Sequence, residues 1–389
     1  MFCRLAALTA AVLLVSAPLA PVVSITAAEP ATVTFVEAAP ISAAGDVVTA
    51  IGLRAEPGVR PEAAAVVVLV DTSASQAGAF RERSLAAARR ILAAGGPRDV
   101  FMVAAVDVSC EPLTASFLEA SNPGLEQSLG QLAERTPLGS TDFVAGLSAA
   151  ADLLADRSEA RFIVYVGDGP GIEGVEPGEF FHCVNRLADE RIAVSGIGVG
   201  SSVNWPLLAA TAAGTGGLFV QGASDADSAE TVAKGHVHSI LWPGPTTCML
   251  ESGTTVRLLP SRLPPLRADR DTVVFADGNA GRGSLDVMFR TLPEADAQPE
   301  ADAHPGSQLP IPAAAPRESN AYLVELVRNA LPTDGVFLPL LGRESLDVAK
   351  SVFRREAAGL ALLARQAEAT GARDAAVRVA EAARRRERA

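Results

Sequence analysis

Along residues 63–234 the apolar positions fall into two alternating patterns. Short continuous runs of apolar residues, rich in valine and isoleucine, occupy 63–70, 100–108, 161–166, 192–199 and 218–220. A strand buried on both faces requires such a run, because neither side of its pleat meets water. Between the runs, 80–94, 125–135, 143–155, 177–190, 205–213 and 225–234 read as helices, the first ending at Gly95-Gly96. Strand–helix alternation implies right-handed crossovers and a mainly parallel sheet covered by helices on both faces. The expected fold is therefore a doubly wound α/β unit over residues 61–240.

The pattern changes on either side of this unit. Residues 32–36 and 47–54 read as short strands separated by turn signals at Pro40 and Gly45. Beyond Trp242, residues 255–259, 272–276 and 285–290 read as antiparallel strands, the last two joined as a hairpin through Asp277-Gly278-Asn279. Strands on both flanks suggest a β-sandwich into which the α/β unit is inserted, built from segments 29–60 and 241–292. Residues 293–317 hold the near-repeat Pro293-Glu-Ala-Asp-Ala and Pro299-Glu-Ala-Asp-Ala, a composition unable to form a core and expected to be a linker or a disordered loop. In the C-terminal region, 318–389, helices are expected over 322–330, 346–369 and 373–386. The last two would form a hairpin that cannot bury its own face and must dock elsewhere or continue into material this chain lacks.

Residues 1–28 have the order of a secretory signal peptide: a positive start at Arg4, an apolar run from Leu5 to Val15, Pro18 and Pro21, then Thr26-Ala27-Ala28 before Glu29. The competing reading keeps 5–28 as an uncleaved anchor; the prolines and the small-residue site favour cleavage. No later stretch is long and apolar enough to cross a membrane. The expected location is periplasmic, cell-envelope or secreted. Cleavage leaves Cys110, Cys183 and Cys248, an odd number at spacings that fit no metal-cysteine pattern, so free thiols are expected. A net charge of −12 argues against nucleic acid, whose phosphates need a basic face.

The chemistry sits at strand ends. The run 66–70 is followed by Asp71-Thr-Ser73-Ala-Ser75, which puts three oxygen side chains in a loop at the carboxyl end of a strand, where open α/β sheets bind ligands. Gly139-Ser-Thr141-Asp142 precedes a helix at the same edge, and Gly167-Asp168-Gly169 follows a strand there. Two carboxylates and three hydroxyls would thus converge. Such hard oxygen ligands, with no convergent histidine or cysteine, suit Mg²⁺ or Mn²⁺ and disfavour zinc. Ca²⁺ is expected to bind more weakly because the site is compact. The plainer alternative is that Asp71 and the serines cap the next helix.

This arrangement resembles the von Willebrand factor type A domain with its metal-ion-dependent adhesion site, as in integrin I domains. Ile197-Gly-Val-Gly200 and Ala213-Gly-Thr-Gly-Gly217 add to the likeness. The resemblance implies that Ser73, Ser75 and Thr141 are hydroxyl ligands, that Asp71 and Asp168 bind directly or through water, and that a sixth position takes an acidic group of a partner. Ala74, in place of a frequent glycine, and Pro170 after Asp168-Gly169 are departures that remove no ligand oxygen.

Other signals are set aside. Ile197-Gly-Val-Gly200 lacks the third glycine and the acid of a dinucleotide loop and reads as a strand-end turn. His236 and His238 have no carboxylate close by in sequence and read as surface residues, not a zinc site. Asp277-Gly-Asn279 reads as a turn and not as a calcium loop. No Gly-x-Ser-x-Gly segment supports a hydrolase. The expectation is a non-enzymatic, exported module that binds a protein partner through a metal-held carboxylate. Its rivals are an accessory subunit of an envelope enzyme complex and a scaffold with an empty metal site.

Overall fold

The computed structural model describes residues 30–41, 46–58, 61–170, 174–221, 225–235, 239–277, 283–290, 307–335, 337–338, 340–369 and 377–381. Residues 1–28, read above as an export signal, lie outside these residues, as do His236, His238, residues 278–282, the acidic repeat and most of 373–386. Chain order begins with β1 (Ala31–Pro40) and β2 (Val47–Ala55). The α/β unit follows: β3 (Ala64–Asp71), α1 (Ala79–Ala93), β4 (Val100–Val106), β5 (Cys110–Pro112), β6 (Leu118–Glu119), α2 (Pro123–Glu134) and α3 (Phe143–Leu153). It continues through β7 (Ala160–Gly167), α4 (Pro177–Asp189), β8 (Ile192–Gly198), α5 (Trp205–Thr215), β9 (Phe219–Gln221) and α6 (Asp225–Gly235). Then come β10 (Ile240–Leu250), β11 (Thr255–Leu259), β12 (Leu266–Arg267), β13 (Thr272–Asp277), β14 (Gly283–Arg290) and β15 (Ser307–Ile311), and last α7 (Tyr322–Ala330) and α8 (Arg343–Ala369).

In the α/β unit the strand order is β5-β4-β3-β7-β8-β9, with β6 also on β4; β4, β3, β7, β8 and β9 run parallel. Alternation along β3 explains why its sequence is apolar throughout. Val66, Val68 and Val70 pack under α1 and α2 with Leu85, Ile91 and Leu129, while Ala65, Val67 and Leu69 face Leu147, Leu187 and Leu208 of α3, α4 and α5. Each face is therefore a dry core. The chain steps from β3 to β4 on one side and later returns to β7 on the other. The switch in direction opens a crevice at the carboxyl ends of β3 and β7.

The strands flanking this unit pair with one another. One antiparallel sheet runs β1-β2-β13-β11-β10-β14-β15, so β2, from before the insertion, bonds β13, from after it. Ile51 and Leu53 of β2 and Val274 of β13 share a core with Cys248, Leu285, Val287 and Leu309 of β10, β14 and β15, so the sheet folds over on itself. The alternate residues, Val48, Ala50, Val273 and Phe275, pack against Leu323, Val327, Leu346 and Phe353. That is where α7 and α8 bury their apolar sides.

Two expectations need correction. β13 and β14 are not a hairpin: both edges of β13 are taken, by β2 and β11, and β14 lies between β10 and β15. Between Asp277 and Gly283 the chain therefore passes from one half of the folded sheet to the other. The linker is also shorter than expected, because Ser307–Ile311 forms β15 with alternating buried and exposed residues. Pro310 is tolerated there because β15 ends the strand order and, among the described residues, no ladder forms on its outer edge.

Arg267, fully buried, ties the two units together. It donates to the carbonyls of Gly216 (3.0 Å) and Gly235 (2.7 Å), at the C-terminal ends of α5 and α6, and pairs with Asp269 at 2.7 Å. Helix ends leave carbonyls without partners, and a guanidinium satisfies two at once. Cys110, Cys183 and Cys248 are free thiols, and burial pushes Cys110 and Cys248 up to about 11.

Candidate functional site

β3 ends in Asp71, and the chain turns sharply there because the Asp71 Oδ1 atom accepts from the Ser73 amide at 2.8 Å. The short turn Ala74–Gln76 follows, then α1, whose N-cap is Gly78 with no side-chain cap bond. Asp71, Ser73 and Ser75 are thus not spent capping α1. Asp142 is: its carboxylate caps α3 through the amide of Ala145 at 3.0 Å. The 139–142 loop is pinned on both sides, by Ala74 N to Gly139 O (3.1 Å) and by Asp142 N to Asp107 O (2.8 Å).

These contacts bring all five expected residues together. The Thr141 hydroxyl donates to Asp71 Oδ2 at 2.9 Å, the Ser73 and Ser75 hydroxyls are 3.0 Å apart, and Ser75 donates to Asp168 Oδ1 at 2.9 Å. Asp71, Ser73, Thr141 and Asp168 are buried, whereas Ser75 is exposed. Burial raises the Asp71 carboxyl above its ordinary range, and hydrogen bonds from Tyr165, Ser73 and Thr141 oppose that rise.

Three further residues complete the arrangement, none of them singled out by sequence. The fully buried Tyr165 of β7 donates to Asp71 Oδ2 at 2.7 Å and accepts from the Gly169 amide at 2.9 Å, joining the loops after β3 and β7. Buried Gln76 donates to Asp168 Oδ1 (3.0 Å) and to the Val199 carbonyl (2.9 Å). Asn204 caps α5, and its amide donates to the Asp168 carbonyl at 2.8 Å. A tyrosine inside an apolar strand is the one signal that sequence offered, since a buried phenol needs a partner. The glycines here make room for carboxylates. A Cβ on Gly167 would lie 2.3 Å from Asp71 Cβ, and one on Gly200 would lie 2.5 Å from Asp168 Cβ. The Ile197-Gly-Val-Gly200 segment is accordingly a strand end packed against Asp168.

The site forms the floor of an open cleft of about 460 Å³, walled by residues 139–141 on one side and 202–206 on the other, with Gly169 and Pro170 between. Among the described residues Asp168 is the sole charged side chain lining it, and Asp71 lies beside it, hydrogen-bonded to the lining Thr141. Among the described residues no three His, Cys, Asp or Glu side chains cluster. A cation here would therefore need hydroxyl ligands beside the two carboxylates.

Residues 64–220 match the family model of the von Willebrand factor type A domain, and the α/β unit has that fold. Over most of its length the chain is similar to a von Willebrand factor type A protein from Catenulispora acidiphila, at 13% identity and a TM-score of 0.50, covering 90% of this chain and 84% of that one. At such identity the likeness concerns the fold alone. The ArnB paralog VWA2 from Sulfolobus acidocaldarius aligns at 12% identity and a TM-score of 0.43, covering 91% and 88% of the two chains. No curated protein matches the sequence.

Proposed function

We propose that the α/β unit holds one divalent cation, Mg²⁺ or Mn²⁺, among Asp71, Ser73, Ser75, Thr141 and Asp168, and that the cation grips an acidic side chain of a protein partner outside the cytoplasm. The observation that carries this reading is the convergence of the oxygens: loops far apart in sequence bring two carboxylates and three hydroxyls into one hydrogen-bonded cluster, through Thr141–Asp71, Ser73–Ser75 and Ser75–Asp168 at 2.9, 3.0 and 2.9 Å. This all-oxygen donor set fits a small hard cation, and the hydroxyls would turn from one another to the metal.

Charge supports the same reading. A cleft whose only charged lining group among the described residues is a carboxylate, with a second carboxylate beside it, repels an acidic partner unless a cation intervenes. The bound ion would supply the attraction; Tyr165, Gln76 and the glycines at 167 and 200 hold the carboxylates in place. The function is binding, not turnover. The order of residues 1–28, which is that expected of an export signal, supports a role at the cell envelope or beyond it.

The test uses Ser75→Ala, because Ser75 is exposed and its hydroxyl carries little of the packing. Wild type should capture a partner from envelope extract with Mg²⁺ and release it with EDTA. Ser75→Ala should keep its thermal midpoint and lose most of the capture. Equal capture by both proteins with and without EDTA would identify a scaffold instead.

A further inference from the structure

Among the described residues, three large apolar side chains of the α/β unit are exposed: Val108 (65%), Leu138 (66%) and Trp205 (47%). All three stand at the carboxyl edge of the sheet, around the two carboxylates. Val108 is in the turn after β4. Leu138 begins the loop that carries Thr141, its amide bonded to the Thr72 carbonyl at 3.2 Å, and Val108 reaches within 3.3 Å of where a Cβ on Gly139 would lie. Trp205 opens α5, after β8, and lines the cleft with Val203 and Pro206.

The strand order β4-β3-β7-β8 fixes how these residues are arranged. Asp71 and Asp168 end the two central strands. Val108 and Leu138 flank them on the β4 side, and Trp205 flanks them on the β8 side. Strands sit about 4.8 Å apart, so three steps from β4 to β8 span about 14 Å. An extended peptide advances about 3.3 Å per residue, so side chains two positions before and two after a central residue are about 13 Å apart. In an extended chain those three side chains also point to one face.

Resting on the metal-held carboxylate proposed above, we infer that the partner is an extended protein segment. It has an acidic residue at its centre and a large apolar residue two positions away on each side. The acid enters the cleft, one apolar side chain packs on Trp205, and the other packs on Leu138 and Val108. No basic side chain lines the cleft among the described residues, so the acid is held by the cation and the neighbours are chosen by apolar contact. Exposed tryptophan at the rim of a polar cleft is the kind of residue that dominates binding energy.

Three peptides test the spacing: acetyl-Leu-Ser-Glu-Ser-Leu-amide, the rearranged acetyl-Ser-Leu-Glu-Leu-Ser-amide, and acetyl-Ser-Ser-Glu-Ser-Ser-amide, titrated calorimetrically into the purified chain with Mg²⁺ or with EDTA. With Mg²⁺ the first should bind roughly fivefold tighter than the second and roughly tenfold tighter than the third. Trp205→Ala and Leu138→Ser should each remove most of that preference and leave Mg²⁺ affinity and binding of the serine peptide unchanged. Equal binding of the first two peptides, or a preference that survives Trp205→Ala, overturns the inference. Mg²⁺ binding with no binding of any peptide overturns the metal-held carboxylate and the inference with it. A preference that persists in EDTA supports the apolar rim and refutes only the metal bridge.

Discussion

Replacing Tyr165 by phenylalanine removes one oxygen from the centre of the site and leaves the ring in place. In the wild type that oxygen donates to Asp71 Oδ2 at 2.7 Å and accepts from the Gly169 amide at 2.9 Å, inside a fully buried pocket. A hydrogen bond to a charged group is worth about 1.5–3 kcal/mol, and a buried amide left without an acceptor costs about 1–3 kcal/mol. Residual hydrogen bonds from Thr141 and Ser73 to Asp71 soften the loss, so the net cost at neutral pH should be about 3 kcal/mol. With a urea dependence of about 2–3 kcal/mol per molar, the unfolding midpoint falls by roughly 1 M. The assay is urea unfolding in EDTA, followed by far-ultraviolet circular dichroism, for wild type and Tyr165→Phe. Acid provides an internal check, because protonating Asp71 removes the charge that the phenol serves, and the gap between the proteins should narrow as pH falls. A midpoint within about 0.2 M of wild type at neutral pH would refute the claim that Tyr165 holds Asp71.

Gly167→Ala should destabilise the fold by about 2 kcal/mol and weaken Mg²⁺ binding in the same protein, since the new methyl group must displace Asp71; Gly130→Ala, in helix α2 with nothing near its Cβ, should be neutral or stabilising and serves as the control for thermal melts. Arg267→Met should cost about 3 kcal/mol, seen as a thermal midpoint lower by several degrees, because the Gly216 and Gly235 carbonyls lose their buried donor. The raised Asp71 carboxyl sets the sign of the pH dependence. Without metal, the folded state holds this proton more tightly than the unfolded chain does, so stability from this group is gained as pH falls through the folded pKa and lost as pH rises. A cation needs the ionised form, so Mg²⁺ affinity by calorimetry should fall with acid and begin falling above the ordinary aspartate range.

The α/β unit was legible because both faces of its sheet are dry. Burial on two sides forces unbroken apolar runs, and those runs mark β3, β4, β7 and β8 to within about two residues. The convergence of Asp71, Thr141 and Asp168 was also legible, since strand ends in a doubly wound sheet share one edge. What escaped was set by contacts that are distant in sequence. β10 runs through Trp242-Pro243-Gly244-Pro245, a segment that reads as a turn; the sheet accepts it through a register shift between Pro243 and Thr246. β15 was hidden in proline-rich sequence because its outer edge needs no donors. Gln76 reads as an ordinary polar loop residue, and only the approach of the loops after β7 and β8 turns it into a clamp on Asp168. Gly200 read only as part of a strand-end turn, whereas the structure uses it, like Gly167, for the space it leaves beside a carboxylate.

The central claim is that Asp71, Ser73, Ser75, Thr141 and Asp168 hold one divalent cation, and counting bound Mn²⁺ by electron paramagnetic resonance tests it most directly. Titrating Mn²⁺ into the purified chain should quench the free-ion signal with a stoichiometry of one per chain, and Mg²⁺ should compete the ion away. Asp71→Ala and Ser73→Ala should each abolish that binding while keeping the circular dichroism spectrum of the fold. A wild-type chain that leaves the Mn²⁺ signal unquenched, or folded variants that bind Mn²⁺ as the wild type does, would contradict the assignment.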